Sequence, residues 1–182
     1  MKSSGKPMLG LVALVFVAVV LQQLTPESWF AAPHKSRPLP ELMVQGWINT
    51  AAPPTRELLR GKWLIVSLWQ VNCPSCHYET PLLAKINRAI ADRDDIVLLS
   101  FNTSPTEGIE LVQRYVDAAP GYDWPVGVGA QLMSEVLEAP YTPALFLFGP
   151  DGQSVWQGNF ADRLVRQLVK QAGVDAAKLN ES

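Results

Sequence analysis

The chain has 182 residues, 48% of them apolar, and its 15 basic and 17 acidic side chains nearly cancel. That length accommodates one compact domain with a full core plus a small appendage. Balanced charge without a block of like sign gives no electrostatic footprint for a polyanion, which excludes nucleic acid as a partner class.

Taken in chain order, Lys2 and Lys6 precede an uncharged run from Met8 to Leu24 that is almost wholly aliphatic between Leu9 and Leu21. A basic start and a short apolar core fit a signal peptide, whose core spans about 7 to 15 residues. Cleavage is hard to place, because cutting after Ala31 or Ala32 puts Trp29 or Phe30 at the minus-3 position, where a small residue is wanted. No cysteine follows to accept lipid. Trp29 and Phe30 suit the interfacial belt at the outer end of a short membrane helix, with the two lysines kept in the cytoplasm. We therefore read residues 1–24 as an uncleaved single-pass anchor, although the run is shorter than the roughly 17 to 25 residues of most spans. The rest of the chain is then extracytoplasmic. Signal cleavage and a soluble periplasmic protein form the alternative.

Residues 25–40 carry Pro26, Pro33, Pro38 and Pro40 and read as an extended tether. The domain is expected over 41–174, with 175–182 as a tail. Glu41 to Asn49 reads as an opening strand or hairpin, and Thr55 to Arg60 as a short helix ended by Gly61. Lys62 to Trp69 is a β-branched and aromatic strand. Ser75 to Ala91 places Leu82, Leu83, Ile86 and Ile90 at helical spacing, and Asp95 to Phe101 returns to the β pattern. Glu107 to Ala119 puts Ile109, Val112 and Val116 on one helical face, closed by Pro120 and Gly121. Then come a short strand at Trp124 to Val128, a short helix at Gln131 to Glu138 and an apolar strand at Ala144 to Phe148. Pro150-Asp151-Gly152-Gln153 turns the chain into Ser154 to Gln157. The last helix, Ala161 to Ala172, turns Leu164, Val165, Leu168 and Val169 toward the sheet. Strands alternating with helices, followed by a hairpin, predict an α/β fold with a mixed sheet covered on both faces.

The two cysteines, Cys73 and Cys76, fall directly after the strand ending at Trp69 and at the start of a helix. Thiol-disulfide exchange needs a thiolate, and an ordinary cysteine at neutral pH is mostly protonated. The unpaired N–H groups and dipole of a helix N-terminus stabilise an anion, which assigns Cys73 as the attacking residue. Cys76, one turn further in, is placed to resolve the mixed disulfide. Pro74 costs nothing there, since first-turn amides have no intrahelical partner. His77 favours the thiolate slightly through partial positive charge.

Other chemistries fit the same residues. Cys73-Pro74-Ser75-Cys76-His77 also spells the attachment signature of a c-type haem, but His34 is the only other histidine and Met133 the alternative axial ligand. Zinc needs about four ligands, and Cys73, Cys76, His77 and His34 make a poor set, so no metal is expected. A structural disulfide in an exported binding domain is the non-enzymatic alternative, but so small a loop yields little entropic stabilisation.

With Glu79 and Pro81 the motif extends to Cys-x-x-Cys-x-x-Glu-x-Pro. The stretch from Lys62 to Pro81 resembles the thioredoxin-like disulfide reductases of the TlpA and ResA group, which are exported and commonly membrane-tethered. Tyr141-Thr142-Pro143-Ala144 resembles the group's cis-proline segment entering a strand, and Pro150-Asp151-Gly152 its following hairpin. The likeness covers about residues 41–172, with an inserted strand-helix element accommodated between Phe101 and Glu138. Pro74-Ser75 resembles the Pro-Thr of the cytochrome-maturation reductases of the CcmG or DsbE type, whose recognition stretch before the cis-proline is not matched here. Asn72 stands where an aromatic residue is common, and Ser67 where thioredoxin has a buried acid.

The resemblance implies a thioredoxin-like fold and an exported protein-disulfide reductase, with cytochrome c maturation among its possible settings. It implies Glu79 as the acid assisting deprotonation of Cys76, and Pro143 with the Thr142 backbone as holding a substrate segment against Cys73; we add Trp69, packed beside the site unless it is an ordinary strand tryptophan, and Pro74 to the expected substrate-binding residues. It implies no cofactor beyond the redox-active Cys73–Cys76 disulfide. Expected partners are exported proteins bearing disulfides, a membrane electron donor, and the membrane itself through the N-terminal helix.

Overall fold

The computed structural model describes residues 35–180. The expected membrane segment at 1–24, its flanking Trp29 and Phe30, and His34 lie outside the described residues. Among the described residues, no helix is long and apolar enough to cross a membrane.

The elements follow in chain order. A short strand β1 (Gly46–Ile48) precedes α1 (Arg56–Leu59), whose N-cap Thr55 accepts the Leu58 N–H on its side-chain oxygen. The aliphatic run β2 (Trp63–Trp69) leads into α2 (Pro74–Ala89), which starts with proline in its first turn and carries Pro81 inside. Next are β3 (Ile96–Asn102), α3 (Ile109–Ala118), β4 (Val126–Val128) and α4 (Gln131–Val136). The hairpin of β5 (Ala144–Phe148) and β6 (Ser154–Gly158) is followed by α5 (Ala161–Ala172) and α6 (Ala176–Asn180). Gly152, with φ 74°, supplies the left-handed residue of the hairpin turn.

The six strands form one mixed sheet in the order β1-β4-β3-β2-β5-β6. β2, β3 and β4 run parallel, whereas β1, β5 and β6 are antiparallel to their neighbours. β4 and α4 occupy the span where the inserted strand-helix element was expected. This is the thioredoxin-like α/β architecture predicted from the motifs.

Alternation along β2 divides the core. Leu64, Val66 and Leu68 join Phe101, Phe146, Phe148, Met133 and Leu137 on one face of the sheet. Ile65 and Trp69 face the other way, among Leu83 and Ile86 of α2, Val112 and Val116 of α3, and Leu164 and Leu168 of α5. Each such large side chain contributes about 1.5–3 kcal/mol on burial, so a seven-residue strand covered on both faces anchors the domain.

Four boundaries and faces differ from the sequence reading. The tether assigned to 25–40 joins the domain before its end: Pro38 bridges Gln153, the Leu39 N–H reaches the Gly152 carbonyl at 2.8 Å, and Leu39 is buried. Proline density marked the segment as extended, but an extended chain also suits the edge of a sheet. The tail assigned to 175–182 includes α6, which buries Leu179 against the core. Helix α3 begins at Ile109 rather than Glu107, because Glu107 turns inward and Gly108 becomes the N-cap. Ile109 and Val169, assigned to buried faces, are exposed. In α5 the buried stripe is Ala161, Leu164, Leu168 and Ala172, which leaves Val169 to one side of it.

Candidate active site

The sheet brings the expected residues to one end. Trp69 is in register with Asn102 and Asn102 with Val128, so the parallel strands finish together. Leu68 pairs with Ala144, which puts the start of β5, and Thr142–Pro143 before it, at that same end. Open α/β sheets place their sites beyond the carboxyl ends of such strands.

Cys73 is the N-cap of α2 and is joined to Cys76 by a disulfide, with the two Cα atoms 5.3 Å apart. The Cys76 N–H donates to Cys73 Sγ at 3.2 Å, and the Ser75 hydroxyl donates to the same sulfur at 3.4 Å. These donors favour negative charge on Cys73 once the bond is reduced. Cys73 is 8% exposed and Cys76 3%, which leaves the attacking sulfur the more accessible of two sheltered atoms. Pro74 is exposed beside them. The Thr142–Pro143 peptide is cis, as the motif implied, with Pro143 buried and Thr142 half-buried.

Two expected residues sit differently. Trp69, expected to hold substrate, is buried beneath the loop with its ring 5.1 Å from Tyr115 and 5.7 Å from Tyr122. It supports the site from inside. Glu79, expected to serve Cys76, accepts the Ala161 N–H at 2.6 Å and so caps α5, whose own N-cap Phe160 makes no side-chain bond. Desolvation holds the Glu79 carboxyl above its usual range, opposed by the Ala161 amide and reinforced by Asp162.

The sequence did not single out Glu107, which the structure places against the loop 70–72 together with the expected His77. The buried Glu107 accepts N–H groups from Val71 at 2.7 Å, Asn72 at 3.0 Å and the Asn102 side-chain amide at 2.7 Å. His77 Nε2 lies 2.7 Å from the Val71 carbonyl. A carbonyl only accepts, so that nitrogen carries the hydrogen. The His77 ring also packs 4.9 Å from Tyr115. The Thr103 N–H closes the strand end on the Trp69 carbonyl at 3.0 Å. In sequence Glu107 looks like an ordinary first-turn acid of a helix, and no local pattern distinguishes it. Burial pushes the Tyr122 hydroxyl far above its usual range, so it stays protonated in the aromatic cluster.

Among the described residues, no group of three or more His, Cys, Asp or Glu side chains is arranged to hold a metal ion.

No family model matches the chain. Over 111 residues it is 32% identical to the thiol:disulfide interchange protein DsbE of Allochromatium vinosum, a match that takes in 60% of this chain and 57% of that protein. The chain thus spans little more than half the length of that curated relative. A solved thioredoxin-like superfamily protein superposes with TM-score 0.63 at 26% identity, covering 80% of this chain and 97% of the other. A thiol-disulfide isomerase from Corynebacterium glutamicum shares the fold at TM-score 0.63 and 23% identity, covering 76% of this chain and 96% of its own. With a disulfide at a helix N-terminus and a cis-proline at the same sheet end, the chain has the thioredoxin-like fold and is similar to thiol-disulfide oxidoreductases built on it.

Proposed function

We propose that the protein is an exported thiol-disulfide oxidoreductase that reduces disulfides of exported proteins through Cys73 and Cys76. The observation that carries this reading is the paired sulfurs at the first turn of α2, served by the Cys76 N–H and the Ser75 hydroxyl. In the reduced protein the Cys73 thiolate attacks a substrate disulfide. One substrate sulfur leaves as thiolate and a Cys73 mixed disulfide forms. Cys76, deprotonated, then attacks Cys73 Sγ and expels the second substrate thiol. Two electrons pass to the substrate, and the Cys73–Cys76 bond is remade.

Glu79 lies one turn beyond Cys76 on the same helix, and its carboxyl is raised in the direction a thiol proton acceptor needs. Pro74, Thr142 and Pro143 form the rim on which a substrate segment rests, and Trp69 backs it from below. The couple needs no cofactor. Regeneration requires an electron donor, which an extracytoplasmic domain with a membrane-anchored N-terminus would meet at the membrane. The thiol:disulfide interchange activity in the relative's name supports the exchange chemistry.

The c-type haem alternative is disfavoured on two counts. Both sulfurs are bonded to each other, and His77 Nε2 is engaged by the Val71 carbonyl.

The test is insulin reduction by dithiothreitol. The wild-type domain should accelerate it and C73A should not; equal rates for the two would defeat the reading. Direction follows from the potential of the Cys73–Cys76 couple, expected near that of thioredoxin, about −270 mV. A value near −120 mV, that of the strong oxidants, would reverse it.

A further inference from the structure

The backbone just ahead of Cys73 is held by a single buried side chain. Glu107 is 4% exposed, and all three of its hydrogen-bonding partners are donors. Two of them are the successive amides of Val71 and Asn72, so the carboxylate grips the peptide that delivers Cys73 to the helix. The third is Asn102, whose Oδ1 is buried without a hydrogen-bond partner while Nδ2 points at Glu107. Turning that amide over would set its oxygen against the carboxylate, which fixes the assignment. The fold leaves a buried acceptor unpaired and thereby supplies Glu107 with a donor.

This arrangement has an electrostatic consequence for the thiol. A fixed negative charge lies one residue away from the sulfur that must become an anion, in a site sheltered from water where such charges act strongly. The positive ends of the Val71 and Asn72 amides are already turned to Glu107 rather than to Cys73. The other titratable groups around the loop are Cys76, His77 and Glu79 on α2, Tyr115 on α3, and Tyr122 beyond it. His77 meets the loop through Val71, Glu79 is directed at Ala161, and the two tyrosines pack on the Trp69 ring. Glu107 is therefore the acid that bears on this peptide.

We propose that Glu107 is a positioning residue for the dithiol, fixing the Val71–Asn72 peptide and opposing, through its charge, the thiolate of Cys73. The proposal deepens the thiol-exchange reading and rests on it. It assigns to the loop between β3 and α3 a control over reactivity that no residue of the Cys-x-x-Cys motif supplies. By disfavouring the Cys73 thiolate, Glu107 also disfavours the reduced form, which makes the couple a stronger reductant.

The test is the pH profile of iodoacetamide alkylation of Cys73 in the reduced protein, compared among wild type, E107Q and E107D. E107Q should move the midpoint down by about half a pH unit or more, roughly threefold more thiolate at a given pH, and should make the couple more oxidising. E107D keeps the charge and should stay closer to wild type than E107Q, even with a lower melting temperature. An E107Q profile that superimposes on wild type, or shifts upward, overturns the proposal. If E107Q does not fold, the 13C shift of the Glu107 carboxyl in wild-type protein decides. An inflection at the Cys73 titration in the reduced state, absent in the oxidised state, supports the proposal, and a flat response in both overturns it. Alkylation reads Cys73 without any disulfide substrate. A wild type that alkylates normally but fails to reduce insulin would sink the exchange reading, not this one.

Discussion

The Glu79 carboxylate accepts the backbone N–H of Ala161 at 2.6 Å, so the helix that carries the dithiol also caps the helix packed beside it. Phe160 precedes α5 without a side-chain cap of its own, and Glu79 supplies from α2 what the local sequence lacks. One side chain thus belongs both to the Cys-x-x-Cys-x-x-Glu-x-Pro motif and to the packing of two helices.

Glu79→Ala removes that cap and should cost about 1 kcal/mol of stability, the usual loss for a helix N-cap. Glu79→Gln keeps an acceptor oxygen and should lose much less. Urea denaturation at neutral pH separates the two; equal losses would show that the Ala161 bond is not what Glu79 contributes.

The pH dependence has a definite sign. Desolvation raises the Glu79 carboxyl above its reference value of 4.5, with Asp162 adding to the effect and the Ala161 amide opposing it. Protonation is therefore favoured in the folded state. The stability this contributes is fully present below the unfolded value and is lost as pH rises through the folded one. Wild type should lose stability relative to E79Q as pH rises from about 4 to 7. A constant difference between the two across that range would contradict the shift.

Cys76→Ala leaves the attacking thiol without its resolving partner. Mixed disulfides between Cys73 and substrate should accumulate on non-reducing gels by tenfold or more over wild type, on the order of the loss expected when the resolving step is removed. C73A should trap none. Equal trapping by both variants would mean that the roles drawn from the helix N-terminus are wrong.

Leu179 in α6 is buried against the core, beyond the boundary drawn from sequence. Leu179→Ala should cost about 2 kcal/mol, lowering Tm by about 5 °C for a domain of this size. A change within about 1 °C in a thermal scan would make α6 an ornament rather than part of the fold.

The motif and the strand that feeds it were legible because their signals are local. Trp63 to Trp69 has no polar interruption except Ser67, and Cys73, Cys76, Glu79, Pro81 and Thr142-Pro143 have recognisable spacing. What escaped depends on contacts between distant segments. Glu107 serves Val71 and Asn72 from across a loop, and an acid at a predicted helix start carries no mark of turning inward. Glu79 was found by pattern, but its partner Ala161 lies 82 positions away, so no spacing rule reveals it. Trp69 at a strand end gives no sign of whether it lines a surface or supports one. Tyr115 and Tyr122 decide that by packing on it. Leu179 was overlooked because five helical residues are too few to show a period.

The bridge from Pro38 to Gln153 also fixes the polarity of the domain. Gln153 precedes β6, whose Ser154 pairs with Phe148, and Phe148 pairs with Leu64 near the beginning of β2. Cys73 follows the other end of β2, about 20 Å away along a strand of that length. The Pro38–Leu39 stretch therefore pairs with the sheet at the pole opposite the disulfide, while Arg37 before it reaches along β6 to Gln157. Changes confined to that contact, at Pro38, Leu39 or Gly152, therefore act a full strand length away from the sulfurs.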